Sequence, residues 1–432
     1  MEKILRLIKK IIPKSFFGFF QPVYHFLLAY FAAMIYGFPS KNLKVIGVTG
    51  TNGKSTVVAM LSAILEEAGE SVASISSLRF RINGKEQKNT LKMTMPGRFK
   101  LQEFLREAVS VDCKYAVVEV TSEGIKQFRH KGINFFMAIL TNVTPEHIES
   151  HGSFEKYKKA KAKFFYRAKI HILNKDDSNL EFFNNIPAQK KVFYSKSDLP
   201  SNFNLKLSGE FNKENAAAAS AAAKELGISE EKIKFALEKI ESVPGRLEFV
   251  QREPFSVVVD YAHTPDALTK VYKTLRETSL VPSPLPLAPK LICVLGSAGG
   301  GRDKWKRPEM GKIAKEFCDE IILTNEDPYD ENPESILKDI ESGFSQNPKS
   351  EIRNPKQIPN SKSEIQNYGL WTKDHKLILD RREAIHEALK SAKPGDTVII
   401  TGKGAEPWIM GPNGYKIPWD DRKVAREELE RL

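Results

Sequence analysis

The chain has 432 residues, enough for two or three domains with sizeable cores, and its composition, 41% hydrophobic and 28% charged, is ordinary for a soluble globular protein. Its net charge of +12 would suit an anionic substrate, a nucleic acid or an acidic membrane surface. The lysines are spread along the whole chain and no nucleic-acid-binding module accompanies them, so we expect a solvated exterior and no nucleic-acid partner.

A hydrophobic N-terminal segment comes first, at residues 1–42. Its lysines precede an aromatic stretch, and no small-residue cleavage site follows. The unbroken apolar part, residues 26–38, is shorter than the roughly 20 residues that span a bilayer, and Pro22 interrupts any longer span. Two interpretations stay open: a helix packed on the next domain, or peripheral contact of residues 15–38 with the inner face of the membrane, which the lysines favour.

Alternating strand and helix patterns begin at Leu43 and predict a mostly parallel α/β sheet over residues 43–243. The predicted strands are Lys44–Val48, Tyr115–Val120 and Phe136–Leu140, and the predicted helices are Lys54–Ala68 and Asn212–Leu226.

A second, smaller α/β unit with a Rossmann-like pattern is predicted over residues 244–432. Its strands are Val257–Asp260, Leu291–Leu295, Ile321–Thr324 and Thr397–Thr401. Its helices lie at Ala267–Arg276, Arg307–Phe317 and Arg381–Ala392, the last with Asp380 as N-cap. A Pro-rich loop at Ser279–Pro289 and a polar, flexible insertion near 345–368 interrupt the pattern.

The three cysteines, Cys113, Cys293 and Cys318, include no CxxC pair. They predict neither a disulfide framework nor a zinc site. Apolar runs flank Cys113 and Cys293, which we expect in the core, and a reducing compartment such as the cytoplasm fits this usage.

A glycine-rich loop between a strand and a helix is the strongest local motif. Gly50 and Gly53 let backbone N–H groups turn toward phosphate oxygens, and the helix N-terminus adds a positive dipole end. Lys54 can reach the β- and γ-phosphates, and Ser55 can ligate Mg²⁺. An ordinary glycine-rich turn is the alternative. The predicted nucleotide-binding residues of this loop are Gly50, Thr51, Asn52, Gly53, Lys54, Ser55 and Thr56.

Ten blocks of sequence from this loop to the C-terminus resemble, in the same order, those of the Mur ligase family. They are Gly50-Thr-Asn-Gly-Lys-Ser55, Glu119-Val-Thr-Ser-Glu-Gly124, Thr141-Asn-Val-Thr-Pro-Glu-His147, Tyr157-Lys-Lys-Ala-Lys161, Gly209-Glu-Phe-Asn-Lys-Glu-Asn215, Pro244-Gly-Arg246, Asp260-Tyr-Ala-His263, Gly300-Gly-Arg302-Asp-Lys304, Asp380-Arg-Arg-Glu383 and Thr401-Gly-Lys-Gly-Ala-Glu406. The branch that adds a diamino acid to a UDP-N-acetylmuramoyl dipeptide is the most similar.

The resemblance implies a central ATPase domain of the phosphate-loop type, a Rossmann-like C-terminal domain, and ATP bound between them. A substrate carboxylate attacks the γ-phosphate to give an acyl-phosphate, and an amine displaces phosphate to form an amide. Lys54 would act on the phosphates, and Ser55, Glu119 and His147 would hold Mg²⁺. The resemblance also implies that Lys161 is carbamylated and supports the metal.

Three further groups of positions match the family's binding residues. For the nucleotide they are Asn215, Arg246, Asp260 and His263. For the UDP-muramoyl-peptide acceptor they are Thr94, Ser122, Gln127 and Arg129. For the free incoming amino acid they are Arg302, Asp327, Gly402 and Glu406.

Several positions depart from the family pattern. Met95 replaces a threonine of the acceptor loop, Glu123 a histidine and Glu146 an aspartate. Tyr329 replaces an arginine that pairs with the distal carboxylate of diaminopimelate, and Ala405 a histidine, so the diamino acid is left open.

The N-terminus departs most, because the family's first domain, which grips the UDP, has no room in 44 residues.

Two alternative functions stay open beside the one that the resemblance implies. One is a folylpolyglutamate- or cyanophycin-type ligase acting on another carboxylate, against which the Arg302 and Thr401 blocks argue. The other is an inactive, membrane-associated nucleotide-binding regulator, which would not need Lys54, Glu119, His147 and Lys161 together.

Overall fold

The structure, a computed structural model, describes residues 14–91, 93–279, 288–344 and 375–432. These divide into two compact units, unit 1 (Met1–Glu241) and unit 2 (Ser242–Leu432). Most of the predicted loop at Ser279–Pro289, and the whole insertion predicted near 345–368, lie outside the described residues.

Unit 1 begins with helix α1 (Lys14–Ile35). Three small side chains of α1, Ala29, Ala32 and Ala33, are buried. The packed-helix interpretation of this segment is therefore confirmed, while contact with a membrane stays a prediction. Among the described residues, no helix is long and apolar enough to cross a bilayer.

An eight-stranded sheet forms the centre of unit 1, in the order β4-β3-β2-β5-β1-β6-β7-β8. Its strands are β1 (Lys44–Thr49), β2 (Val72–Ile75), β3 (Arg79–Ile82), β4 (Lys85–Lys88), β5 (Tyr115–Glu119), β6 (Phe135–Leu140), β7 (Ala168–Asn174) and β8 (Lys190–Tyr194). Neighbouring strands are parallel except for the antiparallel pairs β2–β3 and β3–β4. Five consecutive residues of β1 are buried, as expected for a strand covered on both faces.

Eight helices in the described part of unit 1 follow α1. They are α2 (Lys54–Glu67), α3 (Arg98–Ser110), α4 (Ser122–Lys126), α5 (Ile148–His151), α6 (Phe154–Phe165), α7 (Leu180–Asn184), α8 (Glu210–Glu225) and α9 (Glu230–Lys239). Because β1 and β5 are parallel neighbours, their carboxyl ends lie side by side, and the segments after them can form one site.

Unit 2 contains a six-stranded sheet in the order β13-β12-β11-β14-β10-β9, parallel except at β9. Its strands are β9 (Glu248–Gln251), β10 (Ser256–Asp260), β11 (Leu291–Leu295), β12 (Glu320–Leu323), β13 (His375–Leu377) and β14 (Thr397–Thr401). Its helices are α10 (Pro265–Ser279), α11 (Lys306–Phe317), α12 (Pro333–Glu341), α13 (Arg381–Ser391) and α14 (Asp421–Leu429). A two-stranded antiparallel ribbon, β15 (Trp408–Met410) and β16 (Lys416–Pro418), completes it.

The prediction that the cysteines form no disulfide is wrong. Cys293 on β11 and Cys318 at the end of α11 are joined by a disulfide, and both are fully buried. The cause is the α/β packing, which returns the end of α11 to the beginning of the next strand, beside β11. Cys113 is free and buried.

Candidate active site

The glycine-rich loop lies between β1 and α2, and two of its glycines cannot be replaced without a clash. Gly53 has φ +83°, and a Cβ there would run into Oδ1 of Asn215. A Cβ on Gly50 would run into Oγ1 of Thr141. The loop therefore passes directly against other backbone and side-chain groups, and it needs glycine at both positions. Asn215, predicted from the resemblance as a nucleotide residue, lies at this loop.

Hydrogen bonds from neighbouring segments hold the loop in its conformation. Asn52 N–H donates to Oδ1 of Asn142 at 2.9 Å, and the Thr51 and Tyr157 hydroxyls are 3.0 Å apart. The Lys54 ammonium donates to the carbonyls of Gly50 and Thr51, at 3.1 and 2.7 Å. The amine that would act on the phosphates is therefore folded back along the loop that would hold them.

A buried hydroxyl–carboxylate pair lies beside this loop. Ser55 Oγ donates to Oε2 of Glu119 at 2.8 Å, and Ser77 N–H donates to the same oxygen at 3.0 Å. Glu119 is the last residue of β5 and is 2% exposed. Hydroxyl and carboxylate oxygens are the hard ligands that Mg²⁺ prefers, so this pair fits the metal that the sequence predicts.

Lys161 is buried on α6 and points at the same loop. Its Nζ donates to the Gly50 carbonyl at 2.7 Å and lies 4.5 Å from the centre of the Tyr157 ring. Burial, and then the charge of Lys54, hold the pKa of Lys161 well below its usual range, although Glu146 and Glu119 act in the opposite direction. Burial therefore favours the uncharged form of the Lys161 amine relative to a lysine in water.

His147 precedes α5 in a left-handed conformation, with φ +56°. Its Nε2 is 3.7 Å from Oε2 of Glu146, which is buried. Within the described ranges, no group of three or more His, Cys, Asp and Glu side chains could hold a metal ion. The predicted metal set contains only two residues of those types, Glu119 and His147.

Two of the predicted acceptor residues, Gln127 and Arg129, are hydrogen-bonded to each other in unit 1. Arg129 donates to Oε1 of Gln127 at 2.7 Å and also to the carbonyl of Met95, next to Thr94. Ser122 is buried at the beginning of α4. The side chain of Met95 is 1% exposed and packs against Gly124, so it serves the core rather than the surface of the loop. Burial in the core therefore accounts for a methionine at position 95, where the family pattern has threonine.

Three predicted nucleotide residues surround the end of β10 in unit 2. The Arg246 guanidinium lies 4.3 Å from the centre of the Tyr261 ring. Asp260 accepts from the backbone N–H of Leu247 and of Ala262, both at 2.6 Å. Burial raises the pKa of Asp260, although Arg246 and these two hydrogen bonds act to lower it. The third residue, His263, is 2.8 Å from the Tyr261 carbonyl through Nδ1.

A buried lysine that the sequence did not single out connects the predicted amino-acid residues. Lys403 Nζ donates to Oδ1 of Asp327 at 3.0 Å and also to Glu406. Burial would lower its pKa, but Glu406 and Asp327 raise it well above the ordinary value. The sequence did contain a sign of this role, because Lys403 lies between two glycines and next to Gly402, a predicted amino-acid contact.

The remaining amino-acid residues lie on the loops around this lysine. Gly402 has φ +105°, and a Cβ there would lie 2.5 Å from a carboxylate oxygen of buried Glu326. Arg302 is exposed and shares a hydrogen bond with the Tyr329 side chain, whose backbone φ is +53°. Tyr329 thus contacts a predicted substrate residue at the position where the family pattern has arginine.

Unit 1 has the features of a nucleotide-binding domain of the phosphate-loop ATPase type, and unit 2 is a second, Rossmann-like α/β domain. Known families match both. The model of the Mur ligase middle domain matches residues 48–203, and that of the Mur ligase, glutamate ligase domain matches residues 245–404.

Two similar curated relatives are both named UDP-N-acetylmuramoyl-L-alanyl-D-glutamate–2,6-diaminopimelate ligase. The protein from Syntrophomonas wolfei is 34% identical, over 93% of this chain and 81% of its own length. The protein from Aquifex aeolicus is 35% identical, over 91% of this chain and 79% of its own. The chain belongs to the Mur ligase family, whose members are ATP-dependent amide ligases.

Solved structures agree with this assignment. A ligase of the same name aligns with 28% identity and a TM-score of 0.54, over 90% of this chain and 78% of its own. Mycobacterium tuberculosis folylpolyglutamate synthase, 17% identical, aligns with a TM-score of 0.65 over 86% and 91% of the two chains. The second likeness shows a shared fold alone.

Proposed function

We propose that this protein joins an amino acid to UDP-N-acetylmuramoyl-L-Ala-D-Glu through an acyl-phosphate, as a step in building peptidoglycan precursors. The buried Ser55–Glu119 pair beside the phosphate loop is the observation that carries the proposal, because a metal-assisted phosphoryl transfer needs hard ligands there. The names of relatives sharing about a third of their residues supply the acceptor class.

Each group of predicted site residues has its own role in the proposed reaction. Lys54 neutralises phosphate charge as the acceptor carboxylate attacks the γ-phosphate, and Ser55, Glu119 and His147 hold Mg²⁺, which supplies the remaining positive charge when bound. Thr94, Ser122, Gln127 and Arg129 hold the acceptor. Asn215, Arg246, Asp260 and His263 hold the nucleotide.

Lys161 is proposed to carry a carbamate. An uncharged amine can attack CO2, forming an N–C bond and releasing one proton, and the product is an anion of carboxylate type. The buried position of Lys161, its low pKa and its hydrogen bond to the phosphate loop support this assignment. A carbamate there would add a second anionic group, besides the Glu119 carboxylate, to a set whose other members are Ser55 and His147.

The incoming substrate is proposed to be a diamino acid held by Arg302, Asp327, Gly402 and Glu406. The relatives are named for 2,6-diaminopimelate. Tyr329 cannot form the bidentate ion pair that an arginine makes with a distal carboxylate, so the choice among diamino acids is a question for experiment.

The proposal includes a cytoplasmic location with peripheral contact of residues 15–38 at the inner face of the membrane. The apolar side chains that α1 leaves exposed support the membrane contact.

The test is phosphate release from ATP with the UDP-muramoyl dipeptide and a panel of amino acids. We expect release that needs both the acceptor and one diamino acid, and none from the Lys54→Met variant. An exposed lysine in the same unit, changed as Lys159→Met, is the matched control. Absence of release with every amino acid would reject this acceptor, and release that needs a pteridine instead would assign the folylpolyglutamate-type reaction.

A further inference from the structure

Helix α1 has two opposite apolar faces. On one, Ala29, Ala32 and Ala33 are buried, and the approach is so close that a Cβ on Gly132 would lie 2.8 Å from the Ala33 Cβ. The other, the exposed apolar face of α1, carries large side chains that are 50–60% exposed. It consists of Val23, Tyr24, Leu27, Phe31, Met34 and Ile35.

Helical geometry explains why these side chains share one side. Residues 23, 27 and 34 repeat at intervals of four and seven, which returns them to the same stripe. A contiguous row of large apolar side chains on a surface usually marks an interaction site. The buried alanines fix which side of α1 faces unit 1, so the row cannot turn inward without undocking the helix.

The charge of the residues that precede this face in the sequence indicates the kind of partner it binds. The residues before it include five cationic side chains and one acidic one, Glu2; the cations are Lys3, Arg6, Lys9, Lys10 and Lys14. Such a cluster repels a second copy of the same cluster and attracts anionic headgroups. An apolar helix face that lysines precede in the sequence is typical of helices that lie in the membrane interface.

The acceptor residues are tied to α1 through Arg98. Its Nε donates to the carbonyl of His25 on α1 at 3.2 Å, and its guanidinium also donates to the carbonyl of Gln127. The Phe26 ring meets the Phe128 ring edge-on, with centres 6.3 Å apart. A surface that bound α1 would therefore be held close to Gln127 and its neighbours.

We propose that the exposed apolar face of α1 docks onto an anionic phospholipid surface, with the helix lying in the interface, so that the acceptor residues work next to the membrane. The docking deepens the membrane contact that the proposed function includes, and it does not depend on the ligase reaction. The statement about acceptor residues rests on that proposed reaction.

The experiment is co-sedimentation of the full chain with vesicles of phosphatidylcholine, with and without phosphatidylglycerol, at physiological salt. We expect binding to the anionic vesicles, and a loss of at least about tenfold in the Leu27→Glu/Met34→Glu variant, because two charges would enter the apolar boundary. Phe235→Glu is the matched control, since Phe235 on α9 is similarly exposed and should leave binding unchanged.

Circular dichroism and phosphate release with the soluble acceptor check that the variant folds, and the milder Leu27→Ser/Met34→Ser variant replaces it if it does not. No binding of the parent chain to anionic vesicles, or equal binding by parent and variant, overturns the proposal. Concentration-dependent dimerisation that the variant abolishes, without vesicle binding, would assign the face to a second copy and also overturn it. Vesicle binding by a chain that lacks ligase activity would support the docking while rejecting the proposed function.

Discussion

Lys161 is the residue whose chemistry departs most from its usual surface role. Burial lowers the pKa of Lys161 and so favours the uncharged amine, the form that can react with CO2, whereas an ammonium would repel Mg²⁺. We expect Lys161→Ala to lower phosphate release by about 10- to 100-fold, the range that losing a metal-supporting group typically costs. The measurement is steady-state phosphate release, with exposed Lys159→Ala as the control of similar chemistry.

A second readout separates a carbamate from a plain lysine. If Lys161 carries CO2, activity should fall in CO2-free buffer and return when bicarbonate is added. A parent enzyme that is indifferent to bicarbonate, and that shows no ¹³C carbamate signal after exposure to ¹³CO2, would contradict the modification.

His130 is a buried histidine in the part of unit 1 that precedes β6. Burial, and then the charges of Lys131 and Arg167, lower the pKa of His130 to about 3. The unfolded chain binds a proton near pH 6.5, so it takes up protons that the folded state refuses. The contribution of His130 to the free energy of unfolding is therefore fully present above pH 6.5 and is lost as the pH falls toward 3.

The variants His130→Phe and His130→Leu should reduce this loss. Between pH 7 and pH 5 the parent should lose about 2 kcal/mol more than either variant, from about 1.36 kcal/mol per pH unit. Urea unfolding at pH 7 and pH 5 measures the change in unfolding free energy of each protein. A packing cost of the substitution that does not depend on pH cancels in this comparison. If both variants lose as much stability as the parent, His130 is not the titrating group.

At the scale of elements, a buried ion pair connects the helices of unit 2. Arg381, the first residue of α13, donates to both carboxylate oxygens of Asp421 at 2.9 and 2.8 Å, and also to the Thr401 carbonyl at the end of β14. Both partners are buried. Removing one would leave the other charged and unpaired away from water.

We expect Asp421→Ala to lower the free energy of unfolding by about 3–5 kcal/mol, as measured by chemical denaturation. The surface pair Lys423–Glu427 on the same helix provides the contrast, and Lys423→Ala should cost less than about 1 kcal/mol. Equal effects of the two substitutions would mean that the buried pair contributes no more than a surface one.

Hydrophobic patterning located most of the central strands to within a residue. Leu291–Leu295 and Thr397–Thr401 have the predicted bounds, since fully buried parallel strands are continuous apolar runs. The hairpin of Arg79–Ile82 and Lys85–Lys88 was not predicted, because it is half-buried or exposed and mostly charged. The Asp380 cap was confirmed, and it accepts from Glu383 N–H.

Long-range neighbours were harder to predict than local elements. The Cys293–Cys318 disulfide, the contacts of Lys403 and the burial of Met95 all depend on which segments the fold brings together, and no local pattern contains that information. Glycines of the phosphate loop are the opposite case. The loop requires glycine where its backbone is left-handed or closely packed, and this requirement can be predicted from the local sequence alone.

For the whole molecule, the predicted machinery is divided between the units. Lys54 and the phosphate loop belong to unit 1, while Arg302 and Tyr329 belong to unit 2. If the phosphate loop and the Arg302 group have separate tasks, substitutions in each should weaken the binding of different substrates. A charge-assisted hydrogen bond contributes about 1.5–3 kcal/mol, which corresponds to roughly ten- to a hundredfold in affinity.

Arg302→Ala should therefore raise the KM for the amino acid by at least about tenfold and leave the Kd for ATP unchanged, while Lys54→Ala should weaken ATP binding and prevent phosphate release even at saturating ATP. Steady-state kinetics with each substrate varied, together with calorimetric titration of ATP, provide the measurements. The matched control is Lys312→Ala, which removes a cationic side chain of α11 outside the predicted site and should change neither constant. Parallel loss of ATP affinity in Arg302→Ala would contradict the division, since it would place the Arg302 side chain at the nucleotide.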